Sequence, residues 1–192
     1  MNTRAWCPIL RRLRPPVEHQ AGVGQQRTFH TAFNMNSSIS PEVIAHLEQG
    51  SVPGPAPEAL ILSVEQQYRL TFPSDYRAFL LKYGAALMPG FEVFGLVASH
   101  TDGEAPTWSD IRSFLRKSPP CVPSGWVQIS DDGMDHRFFL ACAPRSDNSG
   151  VFVLGPAAQG TRVSPNFSAF VEAAASYGIE FLATIYLRKA LD

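Results

Sequence analysis

ILSVEQQYRLTFPSDYRAFLLKYG, Ile61–Gly84, is the stretch whose reading decides the fold. Pro73 fixes φ at a helix-compatible value and has no N–H to leave unpaired, so a helix opens there. Within it Tyr76, Phe79, Leu80 and Tyr83 fall at i, i+3, i+4 and i+7, which puts four bulky side chains on one face. Gly84 stops the helix in a left-handed conformation that a side chain would resist. Upstream, Leu60, Ile61, Val64 and Tyr68 repeat the helical period from Glu58 to Tyr68, so two helices flank a short turn. A helix with so broad an aromatic face needs an apolar layer to dock on.

Downstream the sequence supplies one. Phe91-Glu92-Val93-Phe94-Gly95-Leu96-Val97 is short, aromatic and β-branched, hence a strand. Thr107 to Lys117 forms a short helix with Trp108, Ile111 and Leu115 inward. Trp126–Ile129 and Arg137–Leu140 are strands separated by Ser130-Asp131-Asp132-Gly133-Met134-Asp135-His136, a run of turn formers that predicts an antiparallel hairpin. Val151–Leu154 is another strand and Thr161–Val163 a further one. Ser164 or Asn166 then caps a helix from Phe167 to Tyr177, with Phe167, Phe170, Val171 and Ala174 on its buried face. A last amphipathic helix is expected from Phe181 to Leu191. Helices first, a meander of strands next and helices last predict an α+β fold with a mostly antiparallel sheet packed against helices.

Working outward from Ile61 toward the N-terminus, Ser51–Pro57 is a Pro/Gly-rich loop, and Ser40-Pro41 with Val43, Ile44, Leu47 and Gly50 marks a short first helix. Residues 1–38 read as a disordered basic extension, and 39–192 as a single domain. Arg4, Arg11, Arg12, Arg14 and Arg27 stand against Glu18 alone, a net +4 in residues 1–34, while the whole chain of 192 residues carries −1. Two readings of that extension stay open: a mitochondrial-type presequence, or a start assigned too early with Met35 the true beginning, the second being slightly preferred. The rest is mildly acidic, which disfavours general nucleic-acid binding because polyphosphate attracts basic surfaces. No apolar run reaches the ~18–20 residues of a spanning helix, so no membrane partner is expected. Three cysteines, Cys7, Cys121 and Cys142, show no metal-ligand spacing and point to a reducing, cytoplasmic setting.

The Ile61–Gly84 segment resembles the leading motif of the SMI1/KNR4 (SUKH) superfamily: a helix with a glutamate, a short turn, a hydrophobic-Pro-x-x-Tyr element and a glycine-stopped helix. Glu65, Pro73, Tyr76, Phe79, Leu80 and Gly84 are the matching positions. The family's hairpin looks like Ile129–Leu140, its next strand like Gly150–Leu154 and its closing aromatic helix like Asn166–Ala175. One departure is Gly84-Ala85-Ala86 where the family usually has Asn-Gly-Gly, which weakens any role for that asparagine. The resemblance implies a SUKH-like fold and binding of another protein rather than turnover, with no cofactor. Bacterial members are typically immunity proteins that neutralise toxins, many of them nucleases; fungal members are regulatory scaffolds in cell-wall synthesis and signalling.

Among candidate sites, Asp131, Asp132, Asp135 and His136 could hold a divalent cation or do acid–base work, but no EF-hand spacing is present and turn chemistry explains them as well. His46, His100 and His136 lack zinc spacing, and no Gly-x-Ser-x-Gly, Walker A or GxGxxG element occurs. No catalytic or metal-ligating residue is therefore assigned. The expected partner-binding residues are Glu92, Asp102, Glu104, Asp110, Asp131, Asp132 and Asp135, which on one face would attract a basic protein partner such as a toxin domain. Trp108 is the expected hot-spot anchor, with Trp126 a second possibility. Cys142, inside Phe138–Ala143, reads as a small buried hydrophobe rather than a nucleophile.

Overall fold

A computed structural model describes residues 41–98, 110–142, 149–156 and 158–182. In chain order these form α1 (Pro41–Leu47), α2 (Glu58–Tyr68), α3 (Ser74–Tyr83), β1 (Ala86–Met88), β2 (Phe91–Val93), α4 (Ile111–Arg116), β3 (Trp126–Asp131), β4 (Arg137–Ala141), β5 (Val151–Leu154), β6 (Gln159–Ser164) and α5 (Phe167–Tyr177). The α+β class is as expected, with every strand pairing antiparallel: β1 with β2, and β3-β4-β5-β6 in sequence order. Residues 1–38, Asp102, Glu104, Trp108 and the expected helix beyond Leu182 lie outside the described residues.

The aromatic face of α3 does what its period demands. Tyr76, Phe79 and Leu80 are fully buried, and Tyr76 packs edge-on to Phe72 and Phe167 at ring-centroid distances of 5.4 and 4.9 Å. Burying each such side chain contributes roughly 1.5–3 kcal/mol. The Tyr76 hydroxyl is not left unpaired: it donates to the carbonyl of Phe94 at 2.8 Å, tying α3 to the chain just beyond β2. Burial, together with the nearby thiol of Cys142 and carboxylate of Asp110, pushes its ionisation well above the ordinary range. The layer beneath consists of Val127, Ile129, Phe138, Leu140, Val151, Val153 and Val163, alternate residues of four strands in one core cluster with Phe167, Phe170 and Val171 of α5.

Several local expectations are corrected. Pro73 is the N-cap of α3, with φ −53° and ψ 148°, rather than a residue inside the helix. Gly84 has φ 73° and ψ −63°, which is not the left-handed helical region. It is a glycine for a second reason: a Cβ there would lie 2.3 Å from the carbonyl oxygen of Gly54, and one on Gly95 would lie 1.7 Å from the carbonyl oxygen of Gly84. Three backbone segments cross at this point with no room for side chains. The left-handed cap belongs instead to Arg69, φ 54° and ψ 48°, at the end of α2. Strand β1 fills a stretch in which no strand was expected, and β2 ends at Val93 because Phe94 N turns to donate to Ile129 O at 2.7 Å. Of the expected Thr107–Lys117 helix, the described helical part is Ile111–Arg116, capped by Asp110, whose side chain accepts from Arg112 N.

Candidate protein-binding surface

Cross-strand partners share a face, so the register of the pairs determines which side chains stand together opposite the core. Leu87 is opposite Glu92, Asp131 opposite Arg137, Arg137 opposite Leu154 and Leu154 opposite Gln159. The two sheets are joined where Ser130 Oγ donates to Glu92 O at 2.5 Å and Phe94 N to Ile129 O at 2.7 Å. One row therefore runs across all the strands: Leu87, Glu92, Asp131, Arg137, Leu154, Gln159. A second row is Gln128, Phe139, Phe152 and Arg162, and Trp126 stands beyond it opposite Ala141. Trp126 is half-buried and lies against Phe152 with ring centroids 4.4 Å apart.

Asp131 reaches this face through an irregularity. Strict alternation from Trp126 would turn Asp131 toward the core, but the register shifts between Gln128 and Ser130, and both Ile129 and Ser130 are fully buried. A bulge of this kind re-aims every later side chain of its strand. Asp131 then stands outward beside Glu92. Burial, and after it the charge of Asp131, raises the Glu92 carboxyl above its ordinary range. Asp131 is held by the turn, its Oδ1 accepting from Gly133 N at 3.1 Å.

The neighbouring turn is a compact knot around Asp132, whose side chain is 3% exposed. Asp132 Oδ1 accepts from Met134 N at 2.9 Å and His136 N at 3.0 Å, and Oδ2 lies 2.7 Å from His136 Nδ1. Burial alone would raise this carboxyl; the His136 hydrogen bond and the two backbone donors outweigh burial and hold it below its ordinary range. Asp135 is exposed, and Met134, 82% exposed, stands at the tip. An Asp–His pair can orient an imidazole for proton transfer, but among the described residues no hydroxyl or thiol hydrogen-bonds to His136. Nor is any group of three His, Cys, Asp or Glu side chains placed there to hold a metal ion.

The remaining sequence candidates divide cleanly. Asp110 is 8% exposed; it binds the Arg112 guanidinium at 2.6 Å and the Val97 amide at 3.3 Å, so its charge holds α4 to the chain after β2 and is withdrawn from any surface. Glu65 is also structural. Its Oε1 accepts from Phe72 N at 2.8 Å and its Oε2 from Arg77 Nη1 at 2.6 Å, while Arg77 also pairs with Glu58, so one carboxylate clamps the α2–α3 turn. Cys142 is buried, and burial first, then Glu65 and Asp75, push its thiol well above the ordinary range, the opposite of an activated nucleophile. Of the side chains on this face, sequence reasoning singled out Glu92, Asp131 and Trp126 but not Leu87, Arg137 or Arg162. The alternation of the strands carried a signal for Arg137 and Arg162; Leu87 sat in a strand that was not foreseen.

No helix among the described residues is long and apolar enough to cross a membrane. The fold and this face define a small α+β domain whose buried polar groups hold the fold and whose outer sheet face carries Glu92, Asp131, Arg137 and Arg162. The sequence profile of the SMI1 / KNR4 family (SUKH-1) matches residues 55–173, and the chain belongs to that family. A comparison with curated proteins found no match.

Proposed function

We propose that this chain is a non-catalytic protein-binding domain of cytoplasmic, immunity type, which binds and neutralises a cognate toxin domain, a basic nuclease domain being the partner its charge suits best. Family membership supports the binding role. The observation that carries the choice of partner is the side-by-side placement of Glu92 and Asp131 on the outer sheet face, with Asp135 exposed in the turn that follows β3. Two adjacent carboxylates repel, and an incoming lysine or arginine relieves that repulsion; complementary charge of this sort speeds encounter and selects the partner. Trp126, half-buried on the same face, offers an aromatic anchor.

The test is a pull-down of the full chain from its own cells with quantitative mass spectrometry, wild type beside the Glu92→Arg/Asp131→Arg double variant. A basic domain enriched by the wild type and lost with the double variant is expected, along with loss of protection when the variant is co-expressed with that domain. An identical set of captured proteins for both chains would remove the acidic face from the account.

A further inference from the structure

We propose that the turn joining β3 to β4 is the element this chain inserts into its partner, Met134 entering an apolar pocket of the basic domain whose rim carries lysine or arginine; this rests on the binding role proposed above and names the part of the partner that the turn fits. Met134 is 82% exposed, against 67% for Tyr177, 47% for Phe181 and 45% for Leu87. Its unbranched thioether is polarisable and adapts to the shape it meets, which suits it to filling a pocket that is not its own. Apolar side chains exposed singly are ordinary on protein surfaces. What sets Met134 apart is the fixed backbone that presents it.

Asp132 Oδ1 accepts from Met134 N at 2.9 Å and from His136 N at 3.0 Å, Asp132 N donates to His136 O at 3.2 Å, and Asp131 Oδ1 accepts from Gly133 N at 3.1 Å. The amides of Gly133, Met134 and His136 are satisfied inside the turn, so a pocket closing over the tip leaves none of those donors unpaired. The turn is also braced from the neighbouring strand. A Cβ on Gly155, just past β5, would lie 2.4 Å from His136 Cδ2 and 3.2 Å from Asp135 O, so the base of the turn rests directly on this glycine. Gly155 N in turn donates to Ala158 O at 2.8 Å. A tip fixed in this way loses little conformational freedom on entering a pocket, and a pre-organised contact gains affinity by that saving. Charge defines the rim. From Asp131 to Arg137 the chain carries three carboxylates against one guanidinium, and Asp135, directly after Met134, is exposed. Cations around an apolar floor match that pattern.

The probe is the basic domain that the pull-down above captures, and the readout is its affinity for the full chain by titration calorimetry. Met134→Ser should weaken binding at least about tenfold, whereas Met134→Leu, apolar and of similar volume, should stay within about threefold of wild type. Both variants should melt with the wild type, because the side chain they change is exposed. Met134→Ser binding as wild type does, while Glu92→Arg/Asp131→Arg fails to bind, would overturn the insertion and leave the acidic face as the binding site. Indifference to every one of these substitutions, or no basic domain captured at all, would remove the toxin reading and the insertion together. Should Met134→Ser melt lower than wild type, photo-methionine in place of the methionines gives an independent reading. Cross-links from position 134 to apolar residues of that domain flanked by lysine or arginine support insertion; cross-links to its charged surface alone, or none, overturn it.

Discussion

Asp75 Oδ2 accepts a hydrogen bond from Ser168 N at 3.0 Å, joining the first turn of α3 to the first turn of α5 across 93 residues of sequence. Asp75 is 5% exposed, and its Oδ1 takes Tyr76 N at 2.9 Å. One carboxylate thus sits where two helix N-termini converge, and their partial positive charges and free amides stabilise it without a basic side chain. Asn166 completes the cap by accepting from Ala169 N at 2.8 Å. Asp75→Ala is expected to cost about 1–2 kcal/mol, the usual effect of losing a cap. Chemical denaturation measures that loss, and hydrogen exchange should show the α5 amides speeding up ahead of those in α2. Unchanged exchange in α5 would mean that the shared cap does not hold the helix.

Backbone crossing makes a sharper prediction at Gly95. A methyl group there would lie 1.7 Å from the carbonyl oxygen of Gly84, a backbone atom fixed by its hydrogen bond from Leu96 N at 2.9 Å. Nothing can move aside cheaply, so Gly95→Ala should leave little folded protein on expression. Gly90 is the control. Its φ is 87° but a Cβ would meet nothing within 4 Å, so Gly90→Ala should cost only about 1 kcal/mol, from backbone conformation alone. Similar yields and melting temperatures for the two variants would show that the crossing is looser than its geometry.

Arg69 offers a gain in stability. It holds φ 54° and ψ 48° at the end of α2, a conformation in which an L side chain crowds its own backbone. The side chain is exposed, while the amide and its successor are used: Arg69 N reaches Gln66 O at 3.4 Å and Leu70 N reaches Glu65 O at 2.9 Å. Arg69→Gly keeps both bonds and removes the crowding, so it should raise stability by about 0.5–1 kcal/mol in urea denaturation. A decrease would mean that the greater freedom of glycine in the unfolded chain outweighs the relief.

The helices were legible because each has its own period and punctuation: α5 spans Phe167–Tyr177 as its apolar spacing demands, and Asn166 does cap it. The hairpin was legible from its turn residues, though Ser130 and Asp131 belong to the strand and not the turn. What sequence could not reveal depends on register. The bulge between Gln128 and Ser130 leaves no mark in composition, yet it alone sends Asp131 outward to Glu92. Asp110 misled for a related reason: an acidic residue before a short helix reads as surface charge, and only the fold shows Arg112 and Val97 enclosing it. Gly84 was assigned to a helix stop, when close approach to Gly54 and Gly95 constrains it as well.

Glu92 links stability to the proposed binding role, and the sign can be worked out. Its carboxyl is raised in the folded protein, by burial and then by Asp131. Between the ordinary glutamate value of about 4.3 and that raised value the folded state binds more protons than the unfolded one, so stability grows as pH falls through this window. At neutral pH the ionised carboxylate is instead a liability. Glu92→Gln, which keeps shape and removes charge, should therefore melt higher than wild type at pH 7, with the difference fading as pH drops through the window. The same variant should bind a basic partner more weakly, because the charge that destabilises the free chain is the one a cation would neutralise. Thermal melts from pH 3 to pH 8 beside affinity at pH 7 separate the two effects. A variant no more stable than wild type at pH 7 would show that Glu92 is already compensated within the chain, and its pairing with Asp131 would lose its meaning for recognition.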